Sequence, residues 1–215
     1  MTRVKICGIS DFKSAVVASE SGADFLGFVF AASPRRIVPA EALSIITGIR
    51  RREFCLSMVG VFVNAPAEEV NRIAEYCCLD FIQLSGNESW EYCLNIKLPV
   101  IKVIHVAGDM TPQNIINEIV RGHEILTEDF ICLLDTKVGE TYGGTGNAFD
   151  WSLAKIVSKK YPVLVAGGLN PKNVNTLVRE VEPWGVDVSS GVETNGKKNE
   201  AKIRAFIREV KNIRR

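Results

Sequence analysis

Short runs of Val, Ile, Leu and Phe recur along the chain, separated by stretches with apolar residues at spacings of three and four. The runs RVKIC, DFLGFVF, LSMVGVFV, DFIQL, PVIKVI, FICLLD, PVLVA and GVDVS have the length and composition of strands. DFKSAVVASESG, PAEALSIITGI and PAEEVNRIAEYC have the period of amphipathic helices and open on Asp or Pro, residues suited to helix N-termini. Strand alternating with helix predicts βαβ units and a parallel sheet. About eight such units in 215 residues predict a closed (β/α)8 barrel near the small end of that fold's range. An open doubly wound sheet is the competitor, but it would carry a glycine fingerprint after its first strand, and KICGIS contains none. No Pro/Gly/Ser linker, low-complexity tract or charge block divides the chain, so residues 1–215 read as a single α/β domain.

Composition narrows the partners. Lys and Arg number 26 against 25 Asp and Glu, a balance that leaves no electrostatic footprint for nucleic acid. The runs Arg50-Arg51-Arg52 and Arg214-Arg215 read as solvated helix ends, where cations complement the macrodipole. No apolar segment approaches the roughly 18 residues that span a bilayer. Met1 leads directly into a strand with no room for a signal peptide, so no membrane partner and a cytoplasmic location are expected. The six cysteines (Cys7, Cys55, Cys77, Cys78, Cys93, Cys132) form no CxxC pair and read as free thiols. Neither His105 nor His123 lies beside a cysteine, so no metal site is predicted.

A barrel concentrates its chemistry at the C-terminal ends of its strands. By itself KICGIS leaves two readings of Cys7 open: a small buried hydrophobe, like the other cysteines, or a thiol at the catalytic mouth. Alternation puts Lys5 and Cys7 on one face of the first strand and Val4 and Ile6 on the other. A Lys5 that faces the interior needs a partner, and Asp187 on the last strand, which closes against the first, is the expected one. Asp135 ends FICLLD. It is either a cap or a working carboxylate, and Asn147 is the nearer capping candidate. The stretch after it, with Gly139, Gly143, Gly144 and Gly146, suits a loop that folds over a ligand. The seventh strand runs into Ala166-Gly167-Gly168-Leu169-Asn170, and the eighth into Ser189-Ser190-Gly191-Val192-Glu193. Small residues there let backbone N–H groups approach a ligand, and loops seven and eight form this fold's recurrent phosphate site. Arg35 and Arg36 follow the second strand, where an arginine fork suits a substrate carboxylate.

With these residues assembled, the whole chain resembles the phosphoribosylanthranilate isomerase family. The likeness rests on KICGI, GADFLGFVF with SPR, VGVFVN, DFIQL, LLDT, GGTG followed by FDW, AGGLNPKNV, and VDVSSGVE with GKK, in that order. The resemblance implies a cofactor-free Amadori rearrangement of N-(5′-phosphoribosyl)anthranilate in tryptophan biosynthesis. It implies Cys7 as general base, Asp135 as general acid and Arg35 against the anthranilate carboxylate. Gly167, Gly168, Ser190 and Gly191 are implied to hold the phosphate. These roles ask for a protonated Asp135 and an available Cys7 thiolate, with Lys5 as a nearby source of positive charge.

Three positions depart from the family pattern. Gln83-Leu84-Ser85-Gly86 stands where QLHG is common, Arg36 replaces an aromatic after SPR, and Gly196-Lys197-Lys198-Asn199 replaces GxKD with a residue that also caps. The rivals are related phosphate-binding barrels, namely the histidine-pathway sugar isomerase or indoleglycerol-phosphate synthase, and a catalytically silent sugar-phosphate-binding barrel. The first rival uses an aspartate at the Cys7 position, and the synthase needs a Lys and Glu constellation absent here. Monomer and homodimer are equally compatible with the helix faces.

Overall fold

The structure, a computed structural model, describes residues 1–127, 129–138, 141–142 and 151–213. Eight strands form in the predicted places, with the sixth running three residues past Asp135, where the sequence reading ended it: β1 (Arg3–Cys7), β2 (Phe25–Val29), β3 (Ser57–Phe62), β4 (Phe81–Leu84), β5 (Val100–Val106), β6 (Ile131–Val138), β7 (Val163–Val165) and β8 (Gly185–Val188). Each pairs in parallel with the next, and β8 pairs with β1, so the sheet closes into a (β/α)8 barrel. The competing open sheet is excluded by that closure.

The helices are α1 (Phe12–Glu20), α2 (Pro39–Arg50), α3 (Ala67–Cys77), α4 (Trp90–Cys93), α5 (Pro112–Ile125), α6 (Trp151–Ser158), α7 (Val174–Val181) and α8 (Glu200–Lys211). Their ends follow the local chemistry. The Asp11 carboxylate accepts from the Ser14 N–H at 2.8 Å to start α1, and Pro39 sits in the first turn of α2. Asn199 accepts from the Lys202 N–H at 3.0 Å, so the substitution in GKKN does keep a cap for α8. The fourth unit departs from the pattern, with a helix of a single turn. Beyond it, the Asn71 side chain accepts from the Lys97 N–H and donates to the Asn95 carbonyl, satisfying backbone that a longer helix would have paired.

The strands divide the core into two layers. Val4, Ile6, Leu26, Phe28, Ile82 and Leu84 pack outward against helices, while Phe25, Val59, Ile101, Val103, Leu133 and Leu164 fill the barrel. Lys5 and Cys7 face inward, as alternation requires. Gly27 lies in register with Cys7, and a Cβ there would sit 3.0 Å from both the Cys7 Sγ and the Lys5 Nζ. The glycine thus makes the space that a buried lysine and a thiol occupy side by side.

Among the described residues no helix is long and apolar enough to cross a membrane, and no cluster of three or more His, Cys, Asp or Glu could hold a metal ion. Gly139, Gly143, Gly144, Gly146, Asn147, Arg214 and Arg215 lie outside the described residues.

Candidate active site

The floor of the mouth is an ion pair. Lys5 is fully buried and its Nζ donates to the Asp187 Oδ1 at 2.9 Å, joining residues in register on β1 and β8. Burial alone would lower the Lys5 pKa, but Asp187 and Cys7 more than offset it and hold it above the ordinary lysine value. Cys7 stands one inward position higher and is 7% exposed. Burial pushes its thiol above the ordinary range, the Lys5 and Lys198 charges pull it back, and Asp187 adds to the upward push. At neutral pH Cys7 is therefore held chiefly as a thiol, whereas the sequence reading asked for an available thiolate.

The rim is built from loops. The Arg35 Nε and Nη2 donate to the two Glu193 carboxylate oxygens at 2.7 and 3.0 Å. The Lys198 Nζ donates to the same carboxylate at 2.7 Å and to the Ser189 carbonyl at 2.9 Å. The Arg35 stem crosses Gly8, where a Cβ would lie 2.7 Å from its Cδ, and Gly8 itself holds φ +77°. Arg36 is exposed.

The two phosphate-loop candidates interlock. A Cβ on Gly191 would stand 1.8 Å from the Leu169 carbonyl oxygen, so any side chain there would force the loops apart. Gly167 and Gly168 hold φ +89° and +65°, a region that glycine enters at little cost. The Gly168 carbonyl accepts from the Asn173 and Asn170 side chains.

Asp135 is half-buried on β6, in register with His105 on β5. The His105 Nε2 lies 3.0 Å from the Ser85 carbonyl, and the Ser85 hydroxyl accepts from Gln83. An imidazole thus reaches the end of β4 from the neighbouring strand, although position 85 is itself a serine. The other cysteines split between core and surface: Cys77, Cys93 and Cys132 are buried, and Cys55 and Cys78 exposed. Burial raises the Cys132 thiol to about 12.

The closed barrel thus carries Cys7, Asp135, Arg35 and the two glycine loops at the C-terminal ends of its strands. Sequence reasoning missed the roles of Glu193 and Lys198. Both lie inside quoted motifs, but Glu193 is 158 residues from its arginine partner. No periodicity links positions so far apart.

The comparisons with known proteins agree over the whole barrel. The family model for N-(5′-phosphoribosyl)anthranilate (PRA) isomerase matches residues 4–209. The N-(5′-phosphoribosyl)anthranilate isomerase of Dehalococcoides mccartyi is 51% identical over 212 residues, covering 99% of this chain and 97% of that protein. The crystal structure of the Thermotoga maritima isomerase superposes with a TM-score of 0.85 at 39% identity, covering 99% of this chain and 100% of that one. Another isomerase, solved in complex with reduced 1-(o-carboxyphenylamino)-1-deoxyribulose 5-phosphate, gives a TM-score of 0.82 at 37% identity over the same shares. By fold, by full-length identity and by family model, this chain belongs to the N-(5′-phosphoribosyl)anthranilate isomerase family.

Proposed function

We propose that Cys7 is the general base and Asp135 the general acid in the isomerisation of N-(5′-phosphoribosyl)anthranilate to 1-(2-carboxyphenylamino)-1-deoxyribulose 5-phosphate. Asp135 protonates the furanose ring oxygen as the C1′–O bond breaks and the anilino nitrogen forms an iminium. Cys7, as thiolate, removes the C2′ proton, and the released electron pair gives the enolamine. Loss of the C2′ hydroxyl proton and addition of a proton at C1′ complete the ketone with atoms unchanged in number. Every step is a proton transfer with internal bond rearrangement, so the chemistry calls for no cofactor. Arg35 faces the anthranilate carboxylate, and the N–H groups of Gly167, Gly168, Ser190 and Gly191 take the phosphate.

The observation that carries this reading is the setting of Cys7, a buried thiol beside the Lys5 ammonium at the mouth of the barrel. A thiol that only filled space would need no buried cation below it. All six cysteines are free, which fits a reducing compartment such as the cytoplasm.

Turnover of freshly prepared substrate by wild type, Cys7→Ser and Asp135→Asn tests the assignment. Each substitution is expected to lower kcat by about 10²–10⁴, with affinity for the reduced product analogue held within about threefold. Near-normal turnover in Cys7→Ser refutes the base. Tight analogue binding by a wild type without turnover would instead identify a silent sugar-phosphate-binding barrel.

A further inference from the structure

We infer that Glu193 and Lys198 form a positioning device that makes Arg35 selective for a carboxylate. The inference rests on the reading of Arg35 as the carboxylate partner and goes one step beyond it. A guanidinium carries five N–H groups in a planar fork. Glu193 occupies the edge formed by Nε and Nη2, through both carboxylate oxygens at 2.7 and 3.0 Å. The edge formed by Nη1 and the second Nη2 hydrogen is left for a second carboxylate, with its orientation already set.

A paired arginine would ordinarily be a poor anion receptor, because its charge is spent on its partner. Lys198 removes that objection. Its Nζ lies 2.7 Å from the Glu193 Oε1, and its side chain is only 2% exposed against 8% for Glu193. Two cations share one carboxylate, so with Lys198 protonated the trio carries one positive charge in excess, although burial and the nearby Arg35 charge hold the Lys198 pKa below the ordinary lysine value. Burial favours neutral Glu193, but hydrogen bonds from Arg35 and Lys198 outweigh it and hold the carboxyl below its ordinary value. Glu193 is therefore charged and braced at neutral pH. Arg35 is the most exposed member, at 23% of its side chain, so the excess charge faces the mouth.

The same lysine ties the device to the neighbouring loop. Lys198 donates to the Ser189 carbonyl at 2.9 Å, directly before Ser190 and Gly191. The two-residue strands Glu193–Thr194 and Lys197–Lys198 pair in antiparallel fashion, with Glu193 opposite Lys198, which fixes their spacing. One rigid hairpin therefore spans the carboxylate end and the phosphate end of the site. Glu193 touches no reacting atom in this arrangement and acts through Arg35.

Equilibrium binding separates the possibilities. The probes are the reduced product analogue, the same compound without its carboxyl group, and inorganic phosphate. Wild type is expected to lose about 30-fold in affinity when the carboxyl is deleted from the ligand, as befits a charge-assisted bidentate contact. In Glu193→Gln the same deletion is expected to cost less than about fivefold, with inorganic phosphate affinity within about twofold of wild type; Lys198→Met, which also loses the Ser189 contact, is expected to lose the carboxyl discrimination as well. Full carboxyl discrimination in Glu193→Gln overturns the inference, as does a parallel collapse of phosphate affinity, which would make Glu193 a brace for the loop alone. Arg35→Met separates the two levels. If it keeps the discrimination, the reading of Arg35 itself fails. If it loses the discrimination while Glu193→Gln keeps it, only the positioning role falls.

Discussion

Two buried ion clusters border Cys7, and they are built in opposite ways. Lys5 and Asp187 stand in register on neighbouring strands, so the ladder itself aligns them. Their pair is neutral and closed within the barrel. Arg35, Glu193 and Lys198 come from loop positions and carry one positive charge in excess, and part of Arg35 meets solvent. A neutral pair satisfies itself and supports what stands above it. A charged, partly open cluster keeps its excess positive charge at the mouth. In the proposed reading, the strands hold and the loops recognise.

The largest expected effect breaks the lower cluster. Lys5→Met leaves Asp187 buried without its cation and should cost about 3–5 kcal/mol in urea unfolding. Lys5→Met/Asp187→Leu should recover most of that loss, because both charges are then gone. Lys198→Met should cost distinctly less, since Arg35 still holds Glu193. Equal losses from Lys5→Met and Lys198→Met would erase the distinction between the clusters.

pH sharpens the same contrast. The kcat/KM profile reports the free enzyme, in which the Cys7 thiol lies above its ordinary range. In Asp135→Asn, which has no carboxyl proton to lose, residual activity should therefore rise about tenfold per pH unit through neutrality and continue into the alkaline range, and a plateau below about pH 8 there would contradict that setting. Removing Lys5 together with Asp187 should move the rise further alkaline, because the larger influence lost is that of Lys5. On the acid side, Glu193 has a lowered pKa, so its contribution is complete above the ordinary glutamate value and disappears as pH falls through the lowered one. Binding of the carboxylated analogue should persist on acidification until that lower window.

The smallest effect is the control at the surface. The Arg204–Glu20 pair is 3.7 Å long and about half exposed on both sides. Arg204→Ala should change stability by less than about 1 kcal/mol and leave analogue binding as in wild type. A larger loss measured in the same urea titration would show that charge pairs here are not ranked by burial.

Much of this arrangement was legible before folding was considered in three dimensions. Inward Lys5 and Cys7, outward Val4 and Ile6, and the Lys5–Asp187 pair follow from alternation along a strand and closure of the barrel. The one-turn α4 was not legible, because the backbone just beyond it, at Asn95 and Lys97, is satisfied by Asn71 from α3. Gly191 was read as space for a ligand; the structure gives it a further necessity, the close approach of the Leu169 carbonyl.

The sequence by itself determined which residues face which layer, where the first three helices begin, and that Cys7 and the glycine loops lie at strand ends, with Asp135 in the outer half of β6. Period and strand order encode those features locally, so they can be read one segment at a time. Only the tertiary structure decided that Arg35 pairs with Glu193, that Lys198 shares the same carboxylate, and that burial pushes the Cys7 thiol above its ordinary range. Those outcomes depend on loop paths and on competing charges from distant segments, and no single stretch of chain contains either.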